Sequence, residues 1–381
     1  MKLAVVVGTR PEIVKMAPIV RAADDAGVTC TLLHTGQHYS FEMDGIFFDE
    51  LGLRAPDVNL EVGSASHPQQ LARMIAGFEA ALLEAAPDWV LVEGDTNSVL
   101  AAGLTANKLG LRVAHVEAGL RSRDRSMPEE INRILVDHLA DDLLAPTDVA
   151  RGNLLDEGLP AFRIAVTGNT VVDEVLRHVE PARRLAMPER FGLRDEGYLL
   201  ATVHRAENVD DELRLRGILE GLGRVARAMR APVLLALHPR TSRRIAELNI
   251  QLDELLRPMP PLGYLEFLGL HLSAKLLLTD SGGLQEEACT LGVPCVVLRD
   301  TTERPEAVEV GAARLAGADA SAIENAGIEM IGAHRTWPNP FGDGNSGQAI
   351  VARYAAPARA MVPLDAEPIP VAEETEVASS V

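Results

Sequence analysis

Several short stretches place acids, bases and glycines directly after apolar runs, where a parallel-sheet enzyme carries its working groups. Gly8-Thr9-Arg10-Pro11-Glu12 follows the run at 3–7. It is not G-x-G-x-x-G, so the dinucleotide fingerprint of a dehydrogenase is missing. A tight turn with an exposed arginine accounts for the stretch; the functional reading sets Arg10, and Lys15 a turn later, beside an anionic ligand at a helix N-terminus. Glu93-Gly94-Asp95-Thr96-Asn97 ends the run at 89–93 and points acids into a cleft; an N-cap by Asp95 or Thr96 accounts for the same residues. His115-Val116-Glu117-Ala118-Gly119-Leu120-Arg121 closes another apolar strand, where His and Glu are costly unless they face a cleft or are paired. Pro128-Glu129-Glu130 opens a helix with proline in the first turn and acids after it, a pattern that capping and the helix dipole also explain.

The second half repeats the arrangement. Thr202-Val203-His204-Arg205-Ala206-Glu207-Asn208 and Leu237-His238-Pro239-Arg240 each follow a strand-like run. Thr279-Asp280-Ser281-Gly282-Gly283-Leu284-Gln285-Glu286-Glu287 is the most informative stretch. A buried strand leads into a Ser-Gly-Gly turn opening a helix, which presents backbone N–H groups to a pyrophosphate. Glycines let phosphates approach the backbone closely, and a carboxylate later in the helix can accept both ribose hydroxyls. The stretch 299–306 adds Arg299 and Arg304, suited to phosphate contacts. These residues point to acid–base chemistry on a nucleotide diphosphate compound, with Asp95, Glu117, Glu129 and His204 as the strand-end groups. The sequence shows neither zinc-ligand spacing nor a Walker A motif.

The elements that must position these groups alternate strand and helix. Strands are expected at 3–7, 30–34, 89–93, 112–116 and 143–145, with helices at 70–84, 98–108 and 147–156 between and after them; a second cycle has strands at 198–202, 233–237, 275–279 and 295–298. The fold class is α/β: two Rossmann-like domains with parallel sheets, joined near 167–173, with a Pro- and Arg-rich surface connector at 181–188 and ligands at the strands' carboxyl ends. Residues 362–381 are Pro- and Glu-rich without periodicity and read as a disordered tail. Lys+Arg 36 against Asp+Glu 55 gives a net charge of −19, which argues against nucleic acid or an anionic membrane as partner. Three cysteines cannot make a disulfide framework, and neither a signal peptide nor a membrane-length apolar run is present, so a cytoplasmic enzyme is expected.

Taken together, GTRPEIVKMAPI, TGQHY, EGDTNSVLAA, HVEAGLRS, PEEINR, VTGNTVVD, HRAEN, HPRT, TDSGGLQEEA and RDTTERPEAV resemble the UDP-N-acetylglucosamine 2-epimerase family from residue 1 to about 355. The resemblance implies the GT-B architecture, with an N-terminal domain at 1–168, a UDP-binding domain at 169–345 and a helix at 346–361 crossing back. It implies a UDP-sugar substrate, no metal or redox cofactor, a homodimer, and a place in cell-surface polysaccharide biosynthesis. The non-hydrolysing reaction removes the C2 proton as UDP leaves C1, giving a 2-acetamidoglucal, then reverses on the other face. By motif match Asp95, Glu117 and Glu129 are the acid–base carboxylates and His204 the histidine near the diphosphate. Arg10, Ser281, Gly282, Gly283 and Arg304 match phosphate-binding positions, with Lys15 beside the substrate. Glu287 matches the ribose carboxylate, and Phe267 is placed to stack on uracil.

Bacterial non-hydrolysing members often carry a compact Gln-His-Arg-Glu-Met motif, part of a site where substrate is also activator. Here Gln37-His38-Tyr39-Ser40-Phe41-Glu42-Met43 has a longer gap, and the segment after Arg121 (SRDRSM) is short and charged. With His238-Pro239-Arg240-Thr241, these features resemble the archaeal-type and UDP-2,3-diacetamido-glucuronate 2-epimerase branch. The competing expectations are that diacetamido-uronate substrate, a hydrolysing epimerase releasing N-acetylmannosamine and UDP, and a GT-B glycosyltransferase.

Overall fold

The computed structural model describes residues 1–36, 48–195 and 197–355. The Gln37–Met43 departure, the end of the crossing helix and the tail lie outside these residues. Among the described residues the apolar runs form two sheets. The first contains β1 (Lys2–Val7), β2 (Thr29–His34), β3 (Val58–Asn59), β4 (Trp89–Glu93), β5 (Arg112–Val116), β6 (Asp142–Ala145) and β7 (Ile164–Val166), in the order 3-2-1-4-5-6-7. The second contains β8 (Leu199–Val203), β9 (Val233–Leu237), β10 (Leu256–Met259), β11 (Leu277–Thr279), β12 (Cys295–Val297) and β13 (Ala313–Leu315), in the order 10-9-8-11-12-13. Every pairing is parallel. The strand order reverses once in each sheet, at β1/β4 and at β8/β11, and such switch points open the crevices in which α/β proteins bind ligands.

Strand alternation explains the layering. In β1, Leu3, Val5 and Val7 enter one core, while Ala4 and Val6 enter another. In β8, Leu200 joins the first of these cores, and Leu199, Ala201 and Val203 face a third. The first core is therefore shared between the two sheets. It contains Ile13 and Met16 of helix Arg10–Asp25, Val172 and Val175 of helix Thr170–Arg184, Leu268 of helix Tyr264–Leu272 and Ala288 of helix Gly282–Leu291. Burying each large side chain contributes roughly 1.5–3 kcal/mol, so this layer sets how the two halves meet.

Helix Ser346–Ala355 returns onto helix Arg10–Asp25. Gly347 makes the close approach possible, since a Cβ there would come within 2.7 Å of the Pro18 carbonyl carbon. The Asp173 carboxylate accepts from the Ser346 and Gly347 N–H groups at 3.2 and 2.8 Å. At the other end Arg353 donates twice to Asp142 at 2.6 and 2.7 Å, and the Tyr354 hydroxyl donates to it at 2.7 Å.

Two expectations differ. The stretch 181–188, expected as a surface connector, is largely helical: helix Thr170–Arg184 runs through Pro181, and Met187–Arg190 forms a further turn after Ala186, whose φ is 47°. The proline ring is tolerated on an exposed helix face, while Met187 and Pro188 are buried. The strands β3, β7, β10 and β13 were not expected, and each is a sheet edge. Among the described residues no helix is long and apolar enough to cross a membrane.

Candidate active site

The turn after β1 is shaped by packing. A Cβ on Gly8 would lie 2.1 Å from Ser98 Oγ and 2.4 Å from Thr35 Oγ1, so only a glycine leaves room here for the start of helix Asn97–Lys108 and the residue that follows β2. Glu12 caps its own helix, accepting from the N–H groups of Gly8 and Thr9 and from the Thr96 hydroxyl. Burial pushes its carboxyl up to about 7 against those hydrogen bonds. The cap after β4 is Thr96, whose Oγ1 accepts from the Ser98 N–H at 3.1 Å. Asp95 is thereby left for other work.

Lys15, one turn into the helix, is buried among carboxylates. Its Nζ lies 3.2 Å from Glu93 Oε1 and bonds Glu117 Oε2. Glu117 follows β5 directly and lies in the left-handed region, φ 68°, a costly conformation for a non-glycine residue. Its second oxygen accepts from Arg304 Nη2 at 2.6 Å. Arg304 also reaches Glu286 at 3.0 Å and Glu303 at 2.7 Å, and Glu286 accepts from Asn169 at 2.9 Å. Burial alone would lift the Glu117 carboxyl; the Lys15 ammonium, a hydrogen bond from Glu93 and the Arg304 guanidinium hold it well below the usual range. Burial pushes the Glu93 carboxyl well up despite Lys15, with Glu117 adding to the rise. Burial would lower the Lys15 ammonium, but Glu117 and Glu93 outweigh it and its pKa is raised.

Around this buried pair lie groups that are partly exposed. The Asp95 side chain, 27% exposed, is gripped by Arg133 at 2.9 and 2.6 Å, while Glu130 takes the third Arg133 nitrogen at 2.6 Å. Glu130 also accepts from the N–H groups of Ser122 and Arg123 at 3.0 and 2.8 Å, which ties down the short charged loop. Glu129, beside it, is 39% exposed and stands 3.9 Å from Arg205. His204 is 40% exposed, with Nδ1 2.9 Å from the fully buried Asp280. Asp280 also accepts from the N–H groups of His204 and Arg205 at 3.0 and 2.9 Å. Burial would raise its carboxyl, but the His204 contacts and these N–H groups keep it low.

The second switch point supplies a helix N-terminus. Ser281 stands at the N-cap of Gly282–Leu291 with no side-chain cap. A Cβ on Gly282 would come 2.6 Å from Glu303 Oε1 and 2.8 Å from Arg304 Nη1, whereas one on Gly283 meets nothing within 4 Å. On the same helix Glu287 lies 3.7 Å from His271 Nδ1, and His271 makes an edge contact with Phe267 at 6.2 Å. Arg10 crosses from the first half to donate to the Leu262 carbonyl at 3.3 Å, and its guanidinium feels the charge of Glu287. Among the described residues no group of three His, Cys, Asp or Glu side chains could hold a metal ion.

The family model for UDP-N-acetylglucosamine 2-epimerase matches residues 21–354. The chain is 48% identical over 358 residues to the UDP-N-acetylglucosamine 2-epimerase of Methanocaldococcus jannaschii, covering 92% of this chain and 98% of that one. It belongs to the UDP-N-acetylglucosamine 2-epimerase family. The crystal structure of the M. jannaschii enzyme in complex with UDP-GlcNAc and UDP superposes with a TM-score of 0.88, covering 93% of this chain and 99% of that one. The fold is therefore GT-B, and the protein is an enzyme of the epimerase class. The UDP-2,3-diacetamido-2,3-dideoxy-D-glucuronate 2-epimerase of Pseudomonas aeruginosa is 40% identical, covering 93% of this chain and 99% of that one.

Of the residues expected at the site, Asp95, Glu117, His204 and Ser281 lie in the turns after β4, β5, β8 and β11; Arg10, Lys15, Glu129, Gly282, Gly283 and Glu287 lie in helices that follow strands, Arg304 is the N-cap of a short helix after β12, and Phe267 stands beside the Glu287 neighbour His271. Arg299 is not at the surface of its loop: it is buried, donating to Glu303 at 2.7 Å and Glu207 at 3.2 Å. His238 caps helix Pro239–Glu247 through its own Nδ1, and Arg240 pairs with Asp210 on the surface. Sequence reading did not single out Arg133, Glu286 or Glu303 as partners. Glu286 and Glu303 sit inside the quoted motifs, but their meeting with Lys15, Arg133 and Arg205 is tertiary.

Proposed function

We propose that this chain interconverts UDP-GlcNAc and UDP-ManNAc without net hydrolysis. The observation that carries the reading is the pair Asp95 and Glu117, issuing from neighbouring strands β4 and β5, each gripped by its own cation, across from an uncapped helix N-terminus at Gly282. The diphosphate lies at Ser281, Gly282 and Gly283, where N–H groups and the helix dipole favour anions. His204, oriented by Asp280, and Arg205 supply further donors, and Arg304 stands directly behind the Gly282 turn. Glu287 takes the ribose hydroxyls with Arg10 alongside, and Phe267 stacks on uracil.

In the forward direction a carboxylate among Asp95, Glu117 and Glu129 takes the C2 proton, the C–H electron pair forms the C1=C2 bond, and the C1–O pair leaves on UDP. Return of UDP to C1 with a proton delivered to the opposite face of C2 gives the epimer, so atoms and charge balance without water. Lys15 and Arg304 hold Glu117 ionised for this work, and Arg133 fixes the direction of Asp95. A cytoplasmic homodimer serving cell-surface polysaccharide synthesis belongs to the same proposal and is supported by the family resemblance; sedimentation of the purified chain tests the dimer.

The test is positional isotope exchange with UDP-GlcNAc carrying oxygen-18 in the C1–O bridge. Elimination and re-addition scramble the label over the β-phosphate oxygens of recovered UDP-sugar. Label retained in the bridge of an epimerised product rules out C1–O cleavage. Conversion confined to the diacetamido-uronate substrate moves the specificity to that of the P. aeruginosa relative.

A further inference from the structure

His115 has no part in the reaction above, yet it lies on β5 just ahead of Glu117 and is buried. Its Nε2 is 2.8 Å from the Gly94 carbonyl oxygen and its Nδ1 2.6 Å from Asp137 Oδ1. A carbonyl oxygen has no proton to give, so Nε2 is the donor there. At Nδ1 the proton belongs either to the ring or to Asp137. The other oxygen of Asp137 accepts from the Gly119 N–H at 3.1 Å and stands 2.7 Å from Arg121, which in turn forks onto Glu157 at 2.7 Å. A guanidinium and an N–H on one oxygen stabilise the carboxylate, not the acid. Nδ1 therefore donates as well, and the ring carries both protons.

We propose that His115 is an imidazolium that acts as a positioning residue for Asp95 and Glu117. Gly94 directly precedes Asp95 and has φ 84°; Gly119 follows Glu117 and has φ 87°, and a Cβ there would lie 2.3 Å from the Ala150 carbonyl oxygen. These left-handed turns end two neighbouring strands, and His115 with Asp137 ties both to one buried pair. Loss of either ring proton sets a lone pair against the Gly94 carbonyl or the Asp137 carboxylate, and the two loops lose their fixed separation. The charged groups around the ring are Asp137, Arg121 and, behind Arg121, Glu157, with Asp95 and Glu117 carried on the loops it holds.

This inference rests on the acid–base roles proposed for Asp95 and Glu117, and its test separates the two. In the intact enzyme labelled with nitrogen-15 histidine, the resonances lost in His115→Gln are expected to show both ring nitrogens protonated; one bare nitrogen overturns the proposal. His115→Gln and Asp137→Asn are each expected to lower kcat roughly 100-fold through misplaced carboxylates, with UDP affinity measured by calorimetry unchanged. Unchanged kcat overturns the positioning role, as does a loss of kcat that comes only with parallel loss of UDP affinity and thermal stability. Asp137→Asn, which preserves shape, and the wild-type spectrum stand even where His115→Gln folds poorly. A wild-type enzyme with protonated His115 that binds UDP but turns over no UDP-sugar overturns the proposed function instead.

Discussion

At the scale of single residues, Glu117 combines a left-handed backbone, burial and two cations, Lys15 and Arg304, on its two oxygens. Glu117→Gln keeps the shape and removes the charge; turnover is expected to fall by about 10²–10⁴-fold while UDP still binds, measured by kinetics and calorimetry side by side. Lys15→Met removes the largest attraction that holds the Glu117 carboxyl low. Its pKa then rises, so the acid limb of the kcat/KM–pH profile moves to higher pH; a limb that stays in place means another group sets it. Glu286 gives a stability prediction of opposite sign, because burial pushes its carboxyl up to about 7. A raised carboxyl stabilises the fold while protonated, so its contribution is complete below the unfolded value and is lost as pH rises through about 7. Glu286→Gln should flatten that decline, worth on the order of 3 kcal/mol for a shift of this size, in denaturant melts between acid and mildly alkaline pH. Strand-end position in the sequence pointed to Asp95, Glu117 and His204, but their partners Arg133, Arg304 and Asp280 became visible as partners only when distant strand ends met.

At the scale of elements, the helix at Gly282 separates two kinds of glycine. Gly283→Ala adds a Cβ into open space, so the fold should melt as before, and UDP affinity should drop because the methyl intrudes where phosphate oxygens approach the N–H groups. Gly282→Ala pushes on Glu303 and Arg304 and should lower both the thermal midpoint and kcat. Calorimetry and thermal melts on the two variants distinguish them; equal UDP binding by wild type and Gly283→Ala places the phosphates elsewhere. Central strands were readable from sequence because burial on both faces makes continuous apolar runs such as Val5, Val6 and Val7. The edges were not: β10 carries exposed Arg257 and Pro258 between buried Leu256 and Met259, and β3 is only Val58 and Asn59. An edge strand needs one partner and half a core, so its composition resembles a loop.

At the scale of the whole molecule, contacts close to the reaction also join the two halves. Arg304 reaches Glu117, Thr147 bonds Glu306, the Tyr264 N–H donates to Glu50 at 2.8 Å, and Arg299 lies 3.6 Å from the Met127 sulfur. In a chain of net charge −19, the cations at this junction are matched by carboxylates: Arg304 meets Glu117, Glu286 and Glu303, and Arg299 meets Glu207 and Glu303. Helix Ser346–Ala355 braces the same arrangement from outside through Asp142, Arg353 and Tyr354. Arg353→Ala removes a two-pronged bond to a buried carboxylate and should cost about 1–3 kcal/mol in denaturant unfolding, leaving UDP affinity intact. The alternation of strands and helices announced two parallel sheets, but the shared core between them depends on which face of each helix turns inward across the boundary.

The central claim is reversible removal of the C2 proton with UDP kept in the site. It is tested most directly by following C2 by proton NMR in deuterated buffer after adding UDP-GlcNAc. The predicted result is deuterium at C2 in both UDP-GlcNAc and newly formed UDP-ManNAc, with no free sugar. Free N-acetylmannosamine accumulating with UDP, or an unexchanged C2 on a UDP-sugar that binds, contradicts it.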